Sequence, residues 1–127
     1  MALRVLLAED DRDIRAVARL SLKRAGFDVV TVESGEDAIA AATNEQPDLV
    51  LLDWLLPGMD GLETLGALRA SASTADIPVI FLTARTHPTE TARAMAEGAI
   101  GCLGKPFNVL TLGDDVQRLF ETWRTKR

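Results

Sequence analysis

Pro47-Asp48-Leu49-Val50-Leu51-Leu52-Asp53-Trp54-Leu55-Leu56-Pro57-Gly58-Met59-Asp60-Gly61 is the stretch from which the fold is read. Leu49 to Leu52 is an unbroken aliphatic run with no polar alternation, which predicts a strand buried on both faces, as in a parallel sheet. Pro57 and Gly58, then Asp60 and Gly61, predict a loop before the next helical pattern. Asp53 therefore falls at the carboxyl end of the strand, the edge at which open α/β sheets bind their ligands. An Asp that merely caps the loop is the competing reading, and the rest of the chain decides between them.

Outward from that strand, the pattern repeats. Residues 3–8 read as a short aliphatic strand ending in Glu9, Asp10 and Asp11. Ile14, Val17, Ala18, Ser21, Leu22 and Ala25 recur at helical spacing, with Arg12, Arg15, Arg19, Lys23 and Arg24 on the outer face and Gly26 at the stop. Asp11 or Asp10 can cap this helix. A strand over 27–32 follows, then a helix capped by Ser34 with Ala38, Ile39 and Ala42 inward. The strand over 48–52 leads to a helix carrying Leu62, Leu65 and Leu68. Residues 78–82 form the fourth strand, ending at Thr83 and Ala84. Pro88 suits the first turn of a helix reaching about Glu97, with Gly98 as its stop and Ala92, Met95 and Ala96 as a thin apolar face. So little apolar area predicts the most weakly held helix of the chain. A strand over 99–103 precedes a last helix, capped by Asn108, with Leu112, Val116, Leu119, Phe120 and Trp123 inward. Gly113 inside it costs ~1 kcal/mol relative to Ala.

Strands separated by single helices are parallel with right-handed crossovers. The fold class predicted is α/β, a doubly wound five-stranded parallel sheet of order 2-1-3-4-5 with five helices, the flavodoxin-like arrangement. No linker or repeat interrupts it, so residues 1–127 read as a single domain.

A net charge of -5 argues against a nucleic-acid surface or a basic membrane patch. The longest apolar runs fall far short of the roughly 20 residues needed to cross a bilayer. The first residues enter a strand directly, without signal-peptide regions. One cysteine, Cys102, allows no internal disulfide, and a cytoplasmic location is expected.

Parallel strands end on one side, so that edge collects Glu9, Asp10, Asp53, Thr83 and Lys105. The strands bearing Glu9, Asp10 and Asp53 are neighbours at the switch point. Two like charges ~4 Å apart repel by roughly 4 kcal/mol at an effective dielectric of 20. Such a cluster needs a cation or a raised pKa, and all-oxygen ligands with room for water suit Mg²⁺. Lys105 supplies a point charge for a phosphate oxygen and Thr83 a hydroxyl. A carboxylate can also be a covalent nucleophile toward phosphorus, giving an acyl phosphate. Taken singly, the acids read as helix caps, the lysine as a solvated charge and the threonine as a backbone partner. Their joint placement at four strand ends favours a site for a tetrahedral anion above Asp53.

These motifs closely resemble the receiver domain of two-component response regulators, over essentially the whole chain. They stand as Val-Leu-Leu-Ala-Glu9-Asp10-Asp11, the 47–61 stretch, Phe-Leu-Thr83-Ala84, Glu97-Gly98-Ala99 and Lys105-Pro106-Phe107. The resemblance implies that Asp53 accepts the phosphoryl group, from a phosphohistidine on a sensor histidine kinase or histidine phosphotransfer protein, or from a small donor such as acetyl phosphate. It implies that Glu9, Asp10, Asp53 and the Leu55 carbonyl hold Mg²⁺, that Thr83 is the switch hydroxyl and that Lys105 is the phosphate partner. A cis Lys105-Pro106 bond is expected. Phosphorylation is expected to draw in Thr83 and shift the face made by helix 4, strand 5 and helix 5, which would engage a downstream protein or a second copy.

Three positions depart from or modulate that pattern. Receivers carry Tyr or Phe three residues before the lysine, where this chain has Cys102, so the aromatic half of the switch is missing. Cys102 reads as core filler rather than a redox group, and Cys102→Tyr is expected to strengthen phosphorylation-dependent partner binding. In receivers the second residue after the phosphoacceptor and the second after the switch hydroxyl tune acyl-phosphate lifetime, and here the resemblance puts Leu55 and Arg85 there. Leu55 cannot orient an attacking water and Arg85 can shield the phosphate or pair with an acid, so a lifetime longer than that of fast-resetting receivers is expected. Trp54 reads as packing beneath the site and His87 as a surface residue.

The leading reading is thus a stand-alone receiver, with nothing expected after the last helix except Thr122-Trp123-Arg124-Thr125-Lys126-Arg127. Alternatives are a receiver cut from a larger DNA-binding regulator, a metal-dependent phosphohydrolase and a phosphate-independent adaptor. The phosphohydrolase would need a second acid two residues beyond the nucleophile, where Leu55 stands. The intact set of five site residues speaks against the adaptor.

Overall fold

A computed structural model describes residues 2–84 and 88–126. Its elements run β1 (Arg4–Ala8), α1 (Arg12–Arg24), β2 (Asp28–Val32), α2 (Gly35–Glu45), β3 (Leu49–Asp53), α3 (Gly61–Ala70), β4 (Val79–Thr83), α4 (Pro88–Ala96), β5 (Gly101–Gly104) and α5 (Leu112–Thr125). All pairings are parallel and the order is β2-β1-β3-β4-β5. The predicted architecture is the one observed. β3, β4 and β5 each end one residue later than expected, which puts Asp53 and Thr83 inside the last rung of their strands, and β5 begins two residues later.

Side chains alternate across the sheet although the strands are uniformly apolar. Leu6, Val50, Leu52, Val79 and Phe81 pack with Ala38, Ala42, Leu65, Leu68 and Ala94, so α2, α3 and α4 cover one face. Val5, Leu7, Leu49, Leu51, Ile80 and Leu82 pack with Ala18, Leu22, Leu112, Val116 and Phe120, so α1 and α5 cover the other. Burying each Val, Leu, Ile or Phe among these stabilises the fold by about 1.5–3 kcal/mol before entropy is counted.

Local signals act as their chemistry dictates. Asp11, rather than Asp10, caps α1, accepting from the Asp13 and Ile14 amides at 2.9 and 3.0 Å. Ser34 caps α2 through the Asp37 amide. Asp60 and Glu63 form a reciprocal capping box on α3. Gly26 and Gly98 take positive φ at the stops of α1 and α4.

Four expectations are corrected. The inward residue of α4 is Ala94, while Ala92, Met95 and Ala96 are exposed; alanines are weak markers, and packing on β5 sets the rotation of the helix. Val17 is 42% exposed and so lies outside the buried stripe of α1. Asn108 does not cap α5 but organises the preceding turn, its side chain accepting from the Leu110 amide at 2.8 Å; α5 starts at Leu112 behind Thr111, which makes no side-chain cap. Gly113 is a requirement rather than a flaw: a Cβ there would lie 2.6 Å from both Ala25 Cβ and the Ser21 carbonyl oxygen, where α1 and α5 meet.

Candidate functional site

Strand pairing builds the site. Ala8 pairs with Leu52, Asp53 with Leu82 and Thr83 with Gly104, so the residues at or just beyond these rungs share one edge. Carboxylate oxygens of Glu9, Asp10 and Asp53 lie within 4.8 Å of one another. Glu9 and Asp53 are buried, whereas Asp10 is exposed and opens the cluster to water.

Lys105 joins them. Its Nζ donates to Glu9 Oε1 and lies 3.1 Å from Asp53 Oδ2. Burial acts to lower the Lys105 pKa, but hydrogen bonds to Glu9 and Asp53 and the charges of both acids outweigh it, and the ammonium is held above its ordinary range. The second oxygens are also engaged: Glu9 Oε2 accepts from the Asp11 amide at 3.2 Å, and Asp53 Oδ1 from the Leu55 amide at 3.3 Å. Thr83 is buried beside this edge, and its carbonyl accepts from the Lys105 amide at 2.8 Å. The Lys105-Pro106 bond is cis.

Beneath the site, Trp54 is buried and meets the Phe81 ring at a centroid distance of 4.9 Å. A Cβ on Gly61 would come within 2.8 Å of the Asp53 carbonyl oxygen and of Phe81, so only glycine lets the start of α3 press this closely on the strand end. The donor set fits a small divalent cation: three carboxylates cluster while the one ammonium contacts two of them, every candidate ligand is a hard oxygen, and one acid faces solvent.

Glu9, Asp10, Asp53, Thr83 and Lys105 are thus brought to one edge as expected. Leu55, two residues after Asp53, is 55% exposed. Cys102 lies apart, on the β5 rung opposite Phe81; it is half-buried, and burial raises its thiol pKa, which favours the neutral form. Arg85 and His87 fall outside the described residues. One contributor escaped the sequence reading. Arg15, read there as outer-face charge, donates through Nη1 to the Glu9 carbonyl at 2.9 Å and reaches the Asp10 carbonyl at 3.4 Å. Its position six residues beyond Glu9, one helical turn beyond the Asp11 cap, is the signal that could have found it.

Residues 5–117 match the family model described as response regulator receiver domain. The phosphate regulon transcriptional regulatory protein PhoB of Klebsiella pneumoniae is 40% identical over 108 residues, 85% of this chain and 47% of that protein. The DNA-binding response regulator MtrA of Mycolicibacterium paratuberculosis is 35% identical over 107 residues, covering 84% and 46%. The chain therefore spans about half the length of these curated relatives. The chemotaxis response regulator CheY4 of Vibrio cholerae superposes with a TM-score of 0.87 at 34% identity, covering 94% of this chain and 99% of that one.

Proposed function

This chain belongs to the response regulator receiver domain family, signalling proteins rather than classical enzymes, and on that premise we propose that it accepts a phosphoryl group on Asp53. The donor is a phosphohistidine on a sensor histidine kinase or a histidine phosphotransfer protein. The reading rests on one observation: the Asp53 carboxylate emerges from the core at the strand end, beside Glu9 and Asp10 and in contact with Lys105.

In this reading an Asp53 oxygen attacks phosphorus, the P–O bond forms, the P–N bond of the donor breaks and the imidazole leaves. The Leu55 amide holds the companion Asp53 oxygen during attack. The Lys105 ammonium passes from the carboxylates to a phosphoryl oxygen, and the Thr83 hydroxyl donates to another. Glu9, Asp10, Asp53 and the Leu55 carbonyl hold Mg²⁺, which when bound neutralises charge on the transferring group. Water later hydrolyses the acyl phosphate, slowly because the Leu55 side chain cannot orient it.

The output surface is the face of α4, β5 and α5, where a downstream protein or a second copy docks. Support comes from α4, which buries Ala94 alone, and from an apolar furrow of about 270 Å³ between Met95, Ala99, Leu119 and Trp123. Residues 1–127 act as one receiver unit in the cytoplasm, touching neither nucleic acid nor membrane directly. A second reading, a receiver within a longer DNA-binding regulator, is favoured by the named transcriptional relatives, of which the chain spans about half.

Intact mass after incubation with Mg²⁺ and acetyl phosphate tests the proposal. One labile phosphoryl adduct is expected on the native chain and none on Asp53→Asn. Steady turnover of phosphate esters instead would favour the phosphohydrolase, and absence of both adduct and metal binding the phosphate-independent adaptor.

A further inference from the structure

Receivers must present two adjacent acids from a short turn while those acids repel each other and Asp53. In this chain the backbone of that turn is held from outside the acid cluster. The Glu9 amide continues the sheet by donating to the Val32 carbonyl at 3.1 Å. The Glu9 and Asp10 carbonyls both face Arg15 Nη1, at 2.9 and 3.4 Å. Arg15 Nη2 lies 3.4 Å from Glu33 Oε1 just beyond β2, and the Arg15 side chain is only 17% exposed. The Arg15 amide donates to the Asp11 carbonyl at 2.9 Å, so the guanidinium is launched from the first turn of the helix that Asp11 caps.

We propose that Arg15 is a positioning residue for cation binding, one that fixes the peptide planes of Glu9 and Asp10 so that their carboxylates meet Asp53. The inference rests on the phosphoacceptor reading above. Among the described residues, Arg15 makes no ion pair with Glu9, Asp10 or Asp53, so its charge engages main-chain carbonyls and leaves the carboxylates available to a cation. The need is greatest at Asp10. It is exposed, it is repelled by both neighbours, and a freely rotating peptide would let it swing to water. A planar fork spans the two carbonyls and Glu33 at once, whereas a lysine ammonium is a single point that cannot hold all three in the same geometry. Glu33, 69% exposed, is the dispensable arm.

The test is calorimetric titration of the full 127-residue chain with Mg²⁺, paired with hydrogen exchange at the Asp10 and Asp11 amides in EDTA. Arg15→Met should weaken Mg²⁺ binding by about tenfold, the usual effect of losing a group that orients a ligand. Arg15→Lys should fall between, and Glu33→Gln should stay within about twofold of native. Phosphorylation of Arg15→Met by acetyl phosphate should need correspondingly more Mg²⁺ yet reach the native plateau at saturation, a split that general destabilisation would not produce. Equal Mg²⁺ affinity in native and Arg15→Met would overturn the proposal. If Arg15→Met does not fold, Arg15→Lys and Arg15→Gln carry the same comparison. A native chain that binds no Mg²⁺ would instead sink the phosphoacceptor reading. The positioning role would then be decided by the metal-free amides, where faster exchange in the variants supports it and unchanged exchange overturns it.

Discussion

Lys105 Nζ lies 3.1 Å from Asp53 Oδ2, across the gap between the ends of β5 and β3, and donates at the same time to Glu9 Oε1 beyond β1. One ammonium thereby ties three strand ends together. Lys105→Met leaves two buried carboxylates without it, and breaking such a set costs on the order of 3 kcal/mol. Urea unfolding in EDTA should show that loss. Added Mg²⁺ should restore more stability to the variant than it adds to the native chain.

The same contact has a pH signature. The Lys105 pKa is raised in the folded chain above its ordinary 10.5. A raised folded value means the stabilisation is fully present below 10.5 and is lost as pH climbs through the folded value. The difference in urea midpoint between native chain and Lys105→Met should therefore stay constant from neutral pH to about pH 10 and shrink above it. A difference that shrinks near neutral pH would contradict this assignment.

Two helical glycines should respond oppositely to alanine. Gly113 donates its amide to Ser21 Oγ at 3.1 Å, in a crossing with no room for a methyl group. Gly113→Ala should lower stability by about 2 kcal/mol despite its better helix propensity. At Gly66 nothing lies within 4 Å of the added Cβ, and Gly66→Ala should raise stability by roughly 0.5–1 kcal/mol. Thermal melts of the pair decide it.

Arg69 fastens the far end of α4. Its guanidinium donates to the Ile77 carbonyl at 2.8 Å and to the Gly98 carbonyl at 3.1 Å, joining α3, the start of β4 and the α4 stop. Arg69→Met should cost about 2 kcal/mol, the scale for losing charged hydrogen bonds at a partly buried site. Amide exchange should quicken locally at residues 98–100 before it does in β3.

Cys102 is half-buried, and burial raises its thiol pKa. The native thiol should therefore react with a disulfide reagent at neutral pH at least about tenfold more slowly than in urea, because only the thiolate attacks. A native rate equal to the unfolded rate would refute the core-filler role.

The strand-helix repeat, the strand order and the five residues at the carboxyl edge were all legible in the chain. Leu49 to Leu52 has no alternation because both faces of β3 are covered, and that pattern is local. Parallel topology then forces Glu9, Asp10, Asp53, Thr83 and Lys105 to one side whatever their side chains do. Helix rotation was legible only where bulky residues marked it. Leu65 and Leu68 fix α3, but α4 offers mainly alanines, and its buried residue proved to be Ala94.

The sequence by itself determined the fold, its edge and the chemistry available there, because hydrophobic period, caps and turn residues act over a few neighbours. Tertiary structure alone decided that Lys105 bridges Glu9 and Asp53. It also decided that Arg15 grips the Glu9 and Asp10 carbonyls and that Gly113 admits no Cβ. Each of these depends on distances between groups on separate elements. Those distances are set by strand register and helix packing, which no local pattern encodes.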